Sequence, residues 1–187
     1  GFPVGPLQIA DEVTLELQLN VIEQNLADGQ PASPQLPRVL KILRTMVREQ
    51  QRVGRRGAGG YYDYSADGKR SFWPGLAQLY PVAATQPEVT EVKQRLLYIQ
   101  AIEAARCVEA GVVDFPADAD IGSILGIGFP AWTGGILSFI DTLGLPAFVT
   151  ECERLAATYG PRFAPSDWLK AKAARGERFH PPMAIAA

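Results

Sequence analysis

The side chains that could do chemistry are few in this 187-residue chain, and their spacing favours none of them. The one histidine, His180, is followed by two prolines and has no obvious acidic partner in sequence. Imidazole acts as a general acid or base only where a partner orients it, so a solvated His180 is expected. Cys107 and Cys152 lie far apart without C-x-x-C spacing, which suits two reduced core thiols in a cytoplasmic or organellar-matrix protein. Asp114, Asp118 and Asp120 precede Gly122, but the closing glutamate and the intervening ligands of a calcium loop are missing. Asp120 is therefore expected to cap a helix, and no metal is expected. No G-x-S-x-G elbow or nucleophile–base pair occurs, so composition and spacing alone give the chain no active site of its own.

Two glycine-bearing segments have the composition of ligand-binding loops. Gly126-Ile127-Gly128-Phe129-Pro130-Ala131 has the letters of the dinucleotide fingerprint G-x-G-x-x-A. That loop must leave a buried strand and open a helix, whereas this one follows helical residues and holds Pro130 inside the turn. The run from Gly54-Arg55-Arg56 through Gly59-Gly60 to Tyr61-Tyr62-Asp63-Tyr64 interleaves the residue types of an RNA patch or a phosphate cradle. With 18 basic and 20 acidic residues the chain is nearly neutral, which argues against nucleic acid as a partner. A tight glycine turn that docks its aromatic residues is the expectation.

Apolar residues make up 47% of the chain, enough for a sizeable core. The stretch 121–140, IGSILGIGFPAWTGGILSFI, carries no charge and has the length of a membrane span. Its glycines and proline would leave backbone groups unpaired in lipid, so a buried helix-turn-helix is expected and no membrane span. Apolar periodicity predicts further helices over 7–13, 14–28, 37–53, 87–113, 146–159 and 165–175, with a loop over 30–37. Over 87–113 the buried stripe is read as Val89, Val92, Leu96 and Ile99. The segment 73–81 reads as a short helix or an extended linker, Asp67-Gly68 as a turn, and nothing reads as a strand.

The chain also repeats itself. Gly1-Phe2-Pro3 recurs as Gly128-Phe129-Pro130; later, Gly5 to Asp11 matches Gly135 to Asp141 as glycine, short apolar helix, aspartate. Each copy then runs to a basic, glycine-bearing segment that ends in aromatics, Arg52 to Tyr62 in the first and Arg175 to Phe179 in the second. So long a period suggests two copies of one helical module, over 1–82 and 83–187, rather than a solenoid. Because the first copy opens inside its motif, the sequence is expected to be the carboxy-terminal part of something longer.

Glu103 to Val112, followed by Asp120-Ile121-Gly122-Ser123 through Gly128-Phe129-Pro130 and Thr133-Gly134-Gly135, resembles the carboxy-terminal region of the multifunctional fatty-acid oxidation enzymes. These fuse an enoyl-CoA hydratase to an L-3-hydroxyacyl-CoA dehydrogenase. The first copy is similar to the same helical domain, with Thr14 where a glycine is usual, so a differently built turn is expected there. The resemblance implies an all-α fold of two tandem modules like the 6-phosphogluconate dehydrogenase carboxy-terminal domain, packed as a pseudo-dimer. It implies NAD and the catalytic histidine–glutamate pair on a preceding domain, and acyl-CoA as substrate. The alternative expectation is a non-catalytic interaction module that binds a partner subunit such as a thiolase. It places Pro3, Val4 and Pro6 on the acyl-chain side of the cleft. It also implies that Leu7 and Ile9 of the first copy and Leu137, Phe139 and Ile140 of the second are buried around a two-fold-like contact.

Overall fold

The computed structural model describes residues 4–180. They are mostly helical and divide into two compact units, one within 4–84 and one within 85–180. In the first unit, Pro6 opens helix α1 (Pro6–Val13), and α2 (Leu15–Ala27) and α3 (Leu36–Arg44) follow. A π-helical turn, Thr45–Glu49, extends α3, so the predicted helix over 37–53 ends early and in a wider winding. Leu15, Leu19, Leu40, Leu43, Met46 and Val47 form this unit's core.

Beyond the glycine-rich segment lies an antiparallel hairpin that alternation did not reveal, β1 (Tyr62–Tyr64) and β2 (Arg70–Phe72). Strands of three residues are too short to show a period of two. The Asp67-Gly68 turn is as expected, with Gly68 at φ +80°. Helix α4 (Pro74–Leu79) closes the unit.

In the second unit, α5 (Val89–Glu109) is the longest helix, and Gly111 at φ +68° follows its end. Its buried stripe is Tyr98, Ala101, Ile102 and Ala105, not the expected one: Val89 is 67% exposed and Leu96 59%. Small alanines let α7 pack closely against that face, and an apolar count gives alanine too little weight. The uncharged stretch becomes α6 (Pro116–Ile127), a left-handed Gly128, a 3-10 turn at Ala131–Thr133 and α7 (Ile136–Leu143). It is a helix-turn-helix, but only α7 buries most of its apolar residues; Ile121 and Leu125 of α6 face solvent. Helices α8 (Leu145–Tyr159) and α9 (Asp167–Ala174) complete the unit, α9 capped by Ser166. Tyr98 stacks on Phe148 at 4.8 Å and meets Phe139 edge-on at 5.8 Å in the core. Among the described residues, no helix is long and apolar enough to cross a membrane.

The α1–α2 and α7–α8 corners turn alike. Gly144 sits at φ 83°, ψ 129°, and Thr14, where a different turn was expected, sits at φ 77°, ψ 136°. That region is close to glycine-only, and a β-branched residue there is strained. Thr14 is held by its own hydroxyl, which accepts from the Leu17 amide at 3.2 Å, and by the Leu15 amide bonding to Val53 O at 2.9 Å. Thr14→Gly should therefore raise the unfolding free energy by about 1 kcal/mol, relief of strain exceeding loss of the cap. Gly144→Thr should lower it by about 1–3 kcal/mol. Urea titration of both variants measures the pair; a loss from Thr14→Gly as large as that from Gly144→Thr would deny the strain.

Candidate functional site

The best-built polar sites in each unit surround a buried aspartate on an eight-residue helix. Asp11, fully buried on α1, accepts from the amides of Tyr61 at 2.8 Å and Tyr62 at 3.0 Å, and from the Tyr64 hydroxyl at 3.0 Å. Burial first, then the bond to Asp11, pushes the Tyr64 phenol well above its ordinary range, so it stays a donor. The approach is close: a Cβ on Gly60 would overlap the Asp11 carboxylate. Arg52, also buried, shapes the loop by donating to the carbonyls of Ala58, Gly60 and Tyr62 and to Asp63. Its guanidinium lies over the Trp73 ring at 4.9 Å. This is the expected glycine turn docking aromatics, with one arginine inside rather than in water.

In the second unit Asp141 of α7 accepts from the amides of Phe179 at 2.9 Å and His180 at 2.8 Å. The sequence marked both ends of each pairing, an aspartate and an aromatic segment, but not the bond between them. Asp120 was expected to cap its own helix. Instead it lies buried within α6 and caps α7, accepting from the amides of Leu137 at 2.7 Å and Ser138 at 3.1 Å. Gly135 is required there, because a Cβ would overlap the Asp120 side chain.

His180, expected to be solvated, instead has its ring nitrogen Nε2 2.8 Å from Asp120 Oδ2. Sequence proximity missed this partner because it lies sixty residues upstream. The Ser138 hydroxyl donates to the same oxygen at 2.5 Å and stands 3.5 Å from the imidazole. The carboxylate therefore takes the serine's hydrogen bond itself. A nucleophile relay needs the imidazole in that place, so the cluster works as a helix cap with a tail strap attached.

Of the other sequence candidates, Cys152 is fully buried and Cys107 half-buried, both free thiols. Burial pushes the Cys152 thiol up to about 12, which leaves it unreactive. Among the described residues, no cluster of histidine, cysteine or acidic side chains could hold a metal. Pro3 lies outside the described residues; Val4 is half-buried and Pro6 exposed at the start of α1. Leu7 is 37% exposed and Ile9 half-buried, whereas Leu137, Phe139 and Ile140 lie in the second unit's core cluster.

Leu7 lines an apolar groove of about 390 Å³ with Phe72, Trp73, Leu76, Tyr80 and Val82. In the second unit α5 and α6 frame another, of about 400 Å³, floored by Ala104, Cys107, Ala119, Gly122 and Ser123. Close in sequence to its lining, Val112, Phe115, Leu125 and Trp132 are each at least two-thirds exposed. No protein-family model matches the chain.

If Asp120 acts as a cap, Asp120→Ala should cost about 3 kcal/mol, since it orphans two helix amides, one of them buried. His180→Ala should cost about 1 kcal/mol or less, the imidazole being about one-third exposed. Denaturant midpoints decide it, and equal losses would contradict the ranking. For Cys152 the folded state holds the proton more tightly than the unfolded chain, so its contribution is complete below pH 9 and declines from there toward 12. Between pH 7.5 and 10 wild type should lose roughly 1.5 kcal/mol more than Cys152→Ala; parallel losses would show that folding leaves the acidity of the thiol unchanged.

Proposed function

We propose that the chain is the helical carboxy-terminal part of an NAD-dependent L-3-hydroxyacyl-CoA dehydrogenase of fatty-acid β-oxidation, built as two tandem modules packed as a pseudo-dimer. The observation that carries this reading is the shared local construction. In both units a glycine precedes an eight-residue helix, its buried aspartate takes two successive amides from a distant aromatic segment, and a positive-φ residue turns the chain into the next helix. That construction supports the duplication which the resemblance turns on. The hydride and proton chemistry would belong to a preceding domain that binds NAD and holds the histidine–glutamate pair. This segment would contribute a wall of the acyl-CoA cleft, and the apolar groove at Leu7 supports that role.

In such an enzyme the wall binds the acyl chain equally in ground and transition states, so its loss should raise KM and leave kcat alone. In the full-length polypeptide that carries this segment, Val4→Asp or Leu7→Asp should raise KM for a long-chain 3-hydroxyacyl-CoA about tenfold and leave a four-carbon substrate unaffected. An unchanged KM for the long chain would remove the cleft-wall reading.

A second reading, an interaction module that docks a partner subunit such as a thiolase, is favoured by the exposed Val112, Phe115, Leu125 and Trp132. Leu125→Glu separates the two: lost thiolase co-purification with an unchanged KM supports the module.

A further inference from the structure

One pocket in the second unit combines an apolar interior with two arginines that make no ion pair among the described residues. The face Val92, Arg95, Leu96 and Ile99 of α5 meets Arg162 and Phe163 of the 3-10 turn Pro161–Phe163 around a space of about 280 Å³. Arg106, further along α5, holds that turn in place by donating to the carbonyls of Arg162 at 3.4 Å and Ala164 at 3.1 Å.

The two lining arginines stand apart from the other arginines of this unit. Most other arginines of the unit bind carboxylates: Arg106 with Glu103, Arg154 with Glu151 and Glu91, Arg175 with Glu177. Arg95 and Arg162 make no ion pair within 4.0 Å among the described residues. Instead the Arg95 guanidinium lies over the Tyr159 ring at 4.5 Å and that of Arg162 over Phe163 at 4.8 Å. Those two rings meet edge-to-face at 6.3 Å, so both cations rest on one aromatic pair. Stacking of this kind orients a guanidinium and leaves its N–H edge free to donate. No carboxylate lines the pocket; Glu91, one turn away on α5, is hydrogen-bonded to Arg154 at 2.9 Å, and Arg95 feels its charge without pairing with it.

We propose that this pocket binds an anion with a short apolar tail, either a carboxylate or a phosphate monoester. The headgroup would lie against Arg95 and Arg162, because planar guanidinium donors match the oxygens of both headgroups. The tail would cover Val92, Leu96 and Ile99, removing from water a leucine that is now 59% exposed. The inference does not depend on the dehydrogenase reading, since it rests on side chains of the second unit alone.

The test titrates the whole chain with octanoate, octyl phosphate, octanol and inorganic phosphate by calorimetry. Both amphiphilic anions should bind one-to-one and compete. Octanol and inorganic phosphate should each bind at least about tenfold more weakly. Whichever anion binds more tightly identifies the headgroup. Arg95→Gln and Arg162→Gln should each weaken binding about tenfold. Leu96→Glu, a change at an exposed position that the fold tolerates, should abolish it by placing a carboxylate at the mouth. Octanol binding as tightly as octanoate would overturn the proposal by making the arginines irrelevant. Inorganic phosphate binding as tightly as octyl phosphate would overturn it by making the apolar wall irrelevant, and undiminished binding by Leu96→Glu would place the site elsewhere.

Discussion

A carboxylate buried on a short helix and filled by two successive backbone amides is the constraint on which both units depend. Each amide bond to a charged acceptor contributes about 1.5–3 kcal/mol, while burying the carboxylate costs several, so the net stabilisation is modest. What the arrangement fixes is position. With Asp11 in place, the chain at Tyr61 and Tyr62 has one depth and one register, and the hairpin β1–β2 starts from there. The backbone reaches that depth only because residue 60 is glycine. Asp141 does the same for Phe179 and His180, and Asp120 adds a second anchor by taking both the start of α7 and the His180 ring.

Helices and their corners were largely legible because they follow from local pattern. Pro6 marks a start, Gly111 and Gly160 mark ends, and the aspartate–glycine turn lies where its chemistry requires. What was not legible depends on distance. The His180–Asp120 contact joins residues sixty apart, and the burial of Arg52 depends on three carbonyls supplied by a loop that arginine itself organises. The hairpin is too short to have a period, and α5 buries alanines where valine and leucine were expected. Thr14 was legible as a departure but not as a tolerated one: the backbone takes the glycine-like conformation because its neighbours hold it there.

The polar side chains are occupied in holding the fold, and this shapes the functional reading. Aspartate, serine and histidine meet in one cluster, yet the carboxylate sits between the other two and satisfies helix amides. Open concave surfaces among the described residues include apolar grooves and the arginine-lined pocket on α5.

The most direct measurement of the central constraint is native-state hydrogen exchange at the amides of Tyr61, Tyr62, Phe179 and His180. All four lie outside helices, where amides ordinarily exchange through small local openings. If the buried carboxylates fix these segments, the four amides should exchange only through unfolding of the unit that holds them, as slowly as the core amides of Leu19 and Ile102. Exchange at the rate of a fraying loop would contradict the account, because the aspartates would then be buried for another reason.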